Sequence, residues 1–304
     1  MEIIELSNYN ETRFNTAIAL GNFDGIHIGH QELIKTMISK SKKLGIKSSL
    51  LLFKSHTKAI IDNSKPKMIT NNQQKFKIAK DLGVDIIYIL DFDDKIMKLS
   101  GEDFIKNIII NKMNGKLLVV GFDYRFGYKA SGDSKYLMKL GKDYDIDVIV
   151  LDPVYKDKDI ISSSNIRSLI ADGNISLCLK MLGRPYSIIG RVIPGKNRGN
   201  KLGFPTANIE PIDNYVIPKN GVYMTNTIID GKKYVSATNI GYNPTFNEDI
   251  LKIETYILDF NGDVYGNTLE IEFLDFLRND IKFQNKEALI EQMKIDIEMI
   301  KLRQ

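Results

Sequence analysis

Between residues 16 and 151 short apolar runs alternate with stretches of helical spacing, and this alternation constrains the fold more than any other feature of the chain. The runs are Thr16–Leu20, Ser48–Phe53, Val84–Leu90, Lys116–Val120 and Ile146–Leu151. Helix-period stretches follow at Gln31–Lys43, Asn71–Asp81, Glu102–Ile110 and Ser134–Lys142. Strands separated by single helices pair in parallel and carry helices on both faces. Such sheets bind ligands at the carboxyl ends of their strands, beside a reversal in strand order. Beyond Leu182 the texture changes. Gly183-Arg184-Pro185-Tyr186 breaks the last helical run. Strand-like runs follow at Tyr186–Val192, Val222–Ile229, Tyr234–Ile240, Lys252–Phe260 and Thr268–Phe276, with Asp230-Gly231 as a hairpin signal. Many short strands with little helix between them point to a small antiparallel barrel. One amphipathic helix closes the chain, with Leu289, Ile290, Met293, Ile297 and Ile300 on one side. The expected architecture is an α/β domain with a parallel sheet over residues 1–182, then a small antiparallel β-barrel with a C-terminal helix over residues 183–304. A length of 304 residues suits two cores better than one.

The chemistry-bearing residues fall just after the strands of the first half. Leu20-Gly21-Asn22-Phe23-Asp24-Gly25-Ile26-His27-Ile28-Gly29-His30 is a strand end, a glycine-punctuated turn and a helix start. Backbone N–H groups and a helix dipole there face an anion, and two imidazoles sit where the turn becomes helix. Neither Gly-x-x-x-x-Gly-Lys-Ser/Thr nor a strand–helix Gly-x-Gly-x-x-Gly occurs in the chain. His56 follows Ser48–Phe53. Asp123 and Arg125 follow Lys116–Val120 among Phe122, Tyr124 and Phe126. Aromatic faces there suit a flat ring, and the guanidinium suits a phosphate. Ser162-Ser163-Ser164 opens a short helix with capping hydroxyls, and Arg167 on its first turn can reach an anion.

In the second half the informative stretch is Gly195-Lys196-Asn197-Arg198-Gly199-Asn200-Lys201-Leu202-Gly203-Phe204-Pro205-Thr206-Ala207-Asn208. Glycines with Lys196, Arg198 and Lys201 can wrap polyphosphate. A proline-fixed turn then presents Thr206 and Asn208, hard oxygen ligands two residues apart. A Mg²⁺ carried by ATP needs only one or two ligands from the protein.

Composition narrows the remainder. A net charge of +4 fits anionic small molecules and gives no argument for nucleic acid. The single cysteine, Cys178, lies in an apolar helical run and reads as core; it excludes an internal disulfide and suits a reducing cytoplasm. No stretch resembles a signal peptide or a membrane span. All three histidines fall before residue 57, so the C-terminal half works without imidazole.

Gly21-Asn22-Phe23-Asp24-Gly25 with His27-Ile28-Gly29-His30 resembles the nucleotidyltransferase signature of the prokaryotic bifunctional riboflavin kinase/FAD synthetases, and Gly203-Phe204-Pro205-Thr206-Ala207-Asn208 resembles their riboflavin kinase signature. The resemblance covers nearly the whole length, in the family's order. Ser55 and Thr57 stand where the family has prolines around the third histidine, Phe122 where an acidic residue is common, and Asn243 of Asn243-Pro244-Thr245-Phe246 where the family has an arginine. The resemblance implies a Rossmann-like nucleotidyltransferase domain and a riboflavin kinase domain, with ATP as co-substrate, Mg²⁺, and FMN and FAD as products. It implies catalytic roles for His27, His30 and Arg167 in FMN adenylylation and for Glu254 as base of the kinase. Gly21, Phe23, Asp24, Gly25, Gly29, His56, Asp123, Arg125, Ser163 and Ser164 would bind substrate in the first domain. Gly195, Lys196, Lys201, Gly203, Phe204, Pro205 and Arg278 would do so in the second, with Thr206 and Asn208 on the metal. The alternatives are a kinase whose adenylyltransferase site has drifted, and a non-catalytic flavin- or nucleotide-binding regulator.

Overall fold

A computed structural model describes residues 1–8, 13–54, 67–156, 159–195, 199, 203–242 and 251–303. Its contacts divide the chain into two compact units, Met1–Pro66 with Thr70–Ser163, and Lys67–Ile69 with Ser164–Gln304. That division falls before the expected limit at 182/183, and it places most of two helices, α4 (Ser163–Ala171) and α5 (Ile175–Leu182), with the barrel.

The first unit is built on a six-stranded sheet, with β1 (Glu2–Glu5), β2 (Thr16–Leu20), β3 (Lys47–Phe53), β4 (Ile86–Leu90), β5 (Gly115–Gly121) and β6 (Asp147–Leu151) in the order β1-β4-β3-β2-β5-β6. Every pairing is parallel. β2 lies inside the sheet and is buried along its whole length. It sends Ile18 and Leu20 into the core on one face, and Ala17 and Ala19 into the core on the other. Leu33, Ile34, Met37 and Ile38 of helix α1 (Ile28–Leu44) cover the alanine face, together with α2 (Asn72–Leu82). The isoleucine face is covered by Ile105, Ile108 and Ile109 and by Leu137 and Leu140 of α3 (Ser134–Asp143). Glu102–Ile110, expected as one helix, is an α-turn at Gly101–Phe104 that widens into a π-helical stretch over Ile105–Ile110. A hairpin of two-residue strands, β7 (Tyr155–Lys156) and β8 (Asp159–Ile160), leads towards α4.

From β2 the chain builds outward through β3 and β4, then returns to the other side of β2 for β5 and β6. The reversal in strand order therefore lies between β2 and β5, and the segments leaving their carboxyl ends carry His27 and His30, and Asp123 and Arg125.

In the second unit β9 (Tyr186–Ile193), β10 (Thr206–Pro211), β11 (Gly221–Ile229), β12 (Lys232–Tyr242), β13 (Leu251–Ile257) and β14 (Thr268–Arg278) close a barrel in the order β10-β13-β12-β11-β14-β9. Alternate residues fill its inside. Ile188, Ile240, Ile253, Ile271 and Phe273 are buried there beside a hydroxyl ladder. In that ladder Thr225 Oγ1 lies 2.8 Å from Thr238 Oγ1, which lies 2.9 Å from Thr255 Oγ1; Thr227 Oγ1 lies 2.7 Å from Ser236 Oγ. Each hydroxyl has a partner, so these buried polar groups are satisfied. α6 (Lys286–Leu302) lies outside, capped by Asn285 and packed through Ile297 and Ile300 on Met224, Tyr256 and Leu258.

Candidate functional site

The histidine turn in the first unit is held by its own side chains. Phe23 and Ile26 take positive φ, as does Gly25, and all three are buried. The Phe23 ring sits in the core with no exposure, which fixes the start of the turn. Asp24, also buried, accepts from Thr70 N at 3.1 Å, while Gly25 N donates to Thr70 Oγ1 at 2.9 Å and Ser163 Oγ donates to the Asp24 carbonyl at 2.9 Å. Phe23, Asp24 and Ser163 thus brace the turn. Ser164 is exposed on α4.

His27 caps α1, its Nδ1 accepting from His30 N at 3.3 Å. That bond leaves the neutral imidazole its proton on Nε2. The two rings stack with centroids 3.7 Å apart and an interplanar angle of 17°, and His30 lies against Phe23 at 5.2 Å. Gly29 allows this arrangement, since a Cβ there would stand 3.2 Å from His27 Nδ1. The result is a pair of imidazoles on the positive end of a 17-residue helix.

At the end of β5, Tyr124 and Phe126 stack at 5.8 Å and pack on the core, so only Phe122 of these aromatics is exposed. Asp123 and Arg125 are exposed beside them. Arg167 follows the first turn of α4, and its Nε donates to the Lys67 carbonyl at 3.0 Å. Cys178 is buried and its thiol is pushed up to about 12 by burial, which suits core packing and not nucleophilic chemistry.

The second unit holds a cavity of about 530 Å³ between the outer face of the barrel and α6. Strand register explains its lining. Thr206 and Asn208 are two apart on β10 and share its outer face; Asn208 pairs directly with Glu254 on β13, and Thr206 with Tyr256. Lys252 and Tyr256, the alternation partners of Glu254, form cavity wall with it, and Tyr256 meets Phe204 edge-on at 5.5 Å. Two loop glycines come close to the oxygen ligands. A Cβ on Gly195 would stand 2.1 Å from Asn208 Nδ2, and one on Gly199 would stand 2.3 Å from the Phe204 carbonyl and 3.1 Å from Thr206 Oγ1. Gly203 takes a φ of +84° ahead of Phe204 and Pro205. Among the described residues no group of three or more His, Cys, Asp or Glu could hold a metal ion. Thr206 and Asn208 are hard oxygen groups beside the two glycines, and a cation arriving with phosphate oxygens would need only one or two such ligands from the protein.

Arg278 also lines the cavity, but its guanidinium is committed to α6. Nε and Nη2 donate to Asp296 at 2.9 and 2.7 Å, and Nη1 donates to the Asn279 carbonyl. Two lining residues carried no signal in the sequence: Asn239, opposite Glu254 on β12, and Asp280, two residues after Arg278. Asp280 fits because its neighbour is glycine, a Cβ on Gly241 standing 2.7 Å from its Oδ2. Burial pushes its carboxyl above the ordinary range, against the pull of the Ile281 N–H and Arg278. His56, Lys196, Lys201, Arg198, Ser55, Thr57 and the Asn243–Phe246 turn lie outside the described residues.

Two family models match in tandem, FAD synthetase over residues 9–165 and riboflavin kinase over residues 182–303. The bifunctional riboflavin kinase/FMN adenylyltransferase of Buchnera aphidicola subsp. Schizaphis graminum is 38% identical over 97% of this chain and 96% of its own. The enzyme of the same name from Listeria monocytogenes is 38% identical over 94% and 91%. A crystal structure described as a macrolide-efflux protein of Streptococcus pneumoniae superposes with a TM-score of 0.88 and 33% identity over 99% of this chain and 98% of its own. No helix among the described residues of this chain is long and apolar enough to cross a membrane.

Proposed function

The chain belongs to the bifunctional riboflavin kinase/FMN adenylyltransferase family, and on that premise we propose which residues carry each of its two reactions. The barrel unit phosphorylates riboflavin to FMN with ATP, and the parallel-sheet unit adenylylates FMN to FAD with release of pyrophosphate.

For the kinase, the carrying observation is that Glu254 lies in register with Asn208 on one face of one cavity. A primary alcohol is a poor nucleophile near neutral pH. Glu254 accepts the proton of the riboflavin 5′-hydroxyl as it attacks the γ-phosphorus, and ADP leaves. Thr206 and Asn208 hold the magnesium ion of MgATP, which when bound neutralises phosphate charge. The phosphates thus lie at the β10 edge, and the apolar end of the cavity, with Val222, Leu289 and Met293, receives the flavin ring.

For the adenylyltransferase, the nucleophile is the FMN phosphate, already ionised near pH 7 with a second pKa of about 6. No base is needed. His27 and His30, stacked at the α1 N-terminus, donate to the α-phosphate and to the leaving pyrophosphate. Asp123 and Arg125 stand at the neighbouring strand end across the reversal in strand order, where substrates enter such sheets. His56 belongs to the substrate-binding set in this reading. A cytoplasmic setting, where ATP is available, suits both reactions.

The test separates the sites. His30→Ala should lower FAD formation from FMN by about 10²–10³-fold and leave FMN formation intact, while Glu254→Gln should abolish FMN formation and spare FAD formation from supplied FMN. Wild-type FAD synthesis in His30→Ala contradicts the assignment. FMN accumulating without FAD in the unaltered protein, under excess MgATP, would show a chain that retains only the kinase.

A further inference from the structure

We infer that Asn239 recognises the riboflavin hydroxyl adjacent to the one that is phosphorylated, the 4′-hydroxyl of the ribityl chain. The inference rests on Glu254 being the kinase base, since it takes its direction from that residue. Asn239 and Glu254 are directly opposite across β12 and β13, as Asn208 and Glu254 are across β10 and β13. On each strand the flanking residues point into the barrel and are buried there: Thr238 and Ile240 on β12, Ile253 and Thr255 on β13. The three polar residues therefore form one row on the outer face, a carboxylate between two amides, and all three line the cavity.

The two amides are not equivalent. Asn208 is enclosed by the Gly195 backbone and faces the phosphate end. Asn239 has no such company: its Oδ1 is buried, yet accepts no hydrogen bond among the described residues. A buried amide oxygen left unpaired is costly, and a bound ligand that pairs it recovers that cost. The ligand group must be small and polar, because next in register is the apolar Val222 of β11. A hydroxyl meets the requirement whichever way the amide is turned, since it both donates and accepts. Side chains opposite one another on neighbouring strands have Cβ atoms about 5 Å apart. Two hydrogen-bonding groups at that separation can each hold one of two neighbouring hydroxyls on a single chain. With the 5′-hydroxyl on Glu254, the vicinal 4′-hydroxyl falls to Asn239.

The experiment compares kcat/KM for riboflavin and for 4′-deoxyriboflavin in the full-length wild type, in Asn239→Leu and in Asn239→Ala, with MgATP saturating. The wild type should prefer riboflavin by about 10- to 100-fold. The preference should collapse to near unity in both variants, through loss of activity on riboflavin alone. Because the ratio is taken within each variant, a general loss of stability does not move it. The inference is overturned if the variants keep the wild-type preference, or if the wild type shows none. A wild type that phosphorylates neither compound removes the kinase reading itself, a separate failure.

Discussion

Gly195 has an ordinary φ, so its importance is steric and not conformational: a methyl group there would occupy the place of the Asn208 amide. Asn208 is at the end of a movable side chain, so Gly195→Ala should displace it and leave the barrel folded. Misplacing a positioning group by about 1 Å can cost about 10²-fold in rate. We expect a loss of that order in FMN formation, with FAD formation from FMN unchanged; equal activity in the two proteins would show that Asn208 does not hold the nucleotide. Asp280 gives a second residue-scale prediction. Its folded-state carboxyl is raised by burial, so between the unfolded value of 3.8 and the raised folded value the native state binds more protons than the unfolded one. Stability therefore falls as pH rises through that window, and the loss is present in full at neutral pH. Asp280→Asn keeps an acceptor for the Ile281 N–H, 3.0 Å away, and removes the titration. Denaturation midpoints should favour the variant at pH 7 and converge with the parent below about pH 3.8; a constant offset at both pH values would refute burial as the cause.

At the scale of elements, α6 is fastened to the barrel by one buried ion pair. Asp296 is 3% exposed and accepts three hydrogen bonds from Arg278 as well as one from Gln292 Nε2 at 3.0 Å. Removing one member of such a pair strands the other charge and costs about 3–5 kcal/mol. Asp296→Ala should lose about that much in urea denaturation, and its KM for riboflavin should rise, because α6 supplies Leu289 and Met293 to the cavity. A change below about 1 kcal/mol would place the pair among ordinary surface bridges. The same element marks the limit of what the sequence disclosed. The amphipathic period of α6 was plain, as were the strand–helix alternation and the barrel runs, because each buries a periodic apolar face. β10 was not: Thr206–Pro211 holds asparagine, glutamate and proline, reads as a turn, and becomes a strand because it pairs with both β9 and β13. β1 is a four-residue edge strand with glutamate at both ends, again made by its partner, β4. Asn239 escaped for the same reason. Nothing local to it says that it opposes Glu254; register across two strands decides that.

At the scale of the whole chain, two chemistries with different needs occupy two units. In the proposed reading one reaction needs a base and would use a carboxylate on a strand; the other starts from an ionised phosphate and would use imidazoles at a helix end. The motif strings made this division legible, and the contact boundary was not legible, because Ser163 and Ser164 belong to one helix and to different units. The described residues that line the kinase cavity all belong to the second unit. FMN made there is complete when it leaves, and nothing in that lining requires it to reach the histidine turn of the same molecule. A mixture of His30→Ala and Glu254→Gln should therefore make FAD from riboflavin and MgATP, although neither variant does so alone. FMN should appear first, and FAD after a lag that shortens as the concentration of Glu254→Gln is raised. If the mixture yields FMN and no FAD while each variant retains its single reaction, FMN must pass between sites without release.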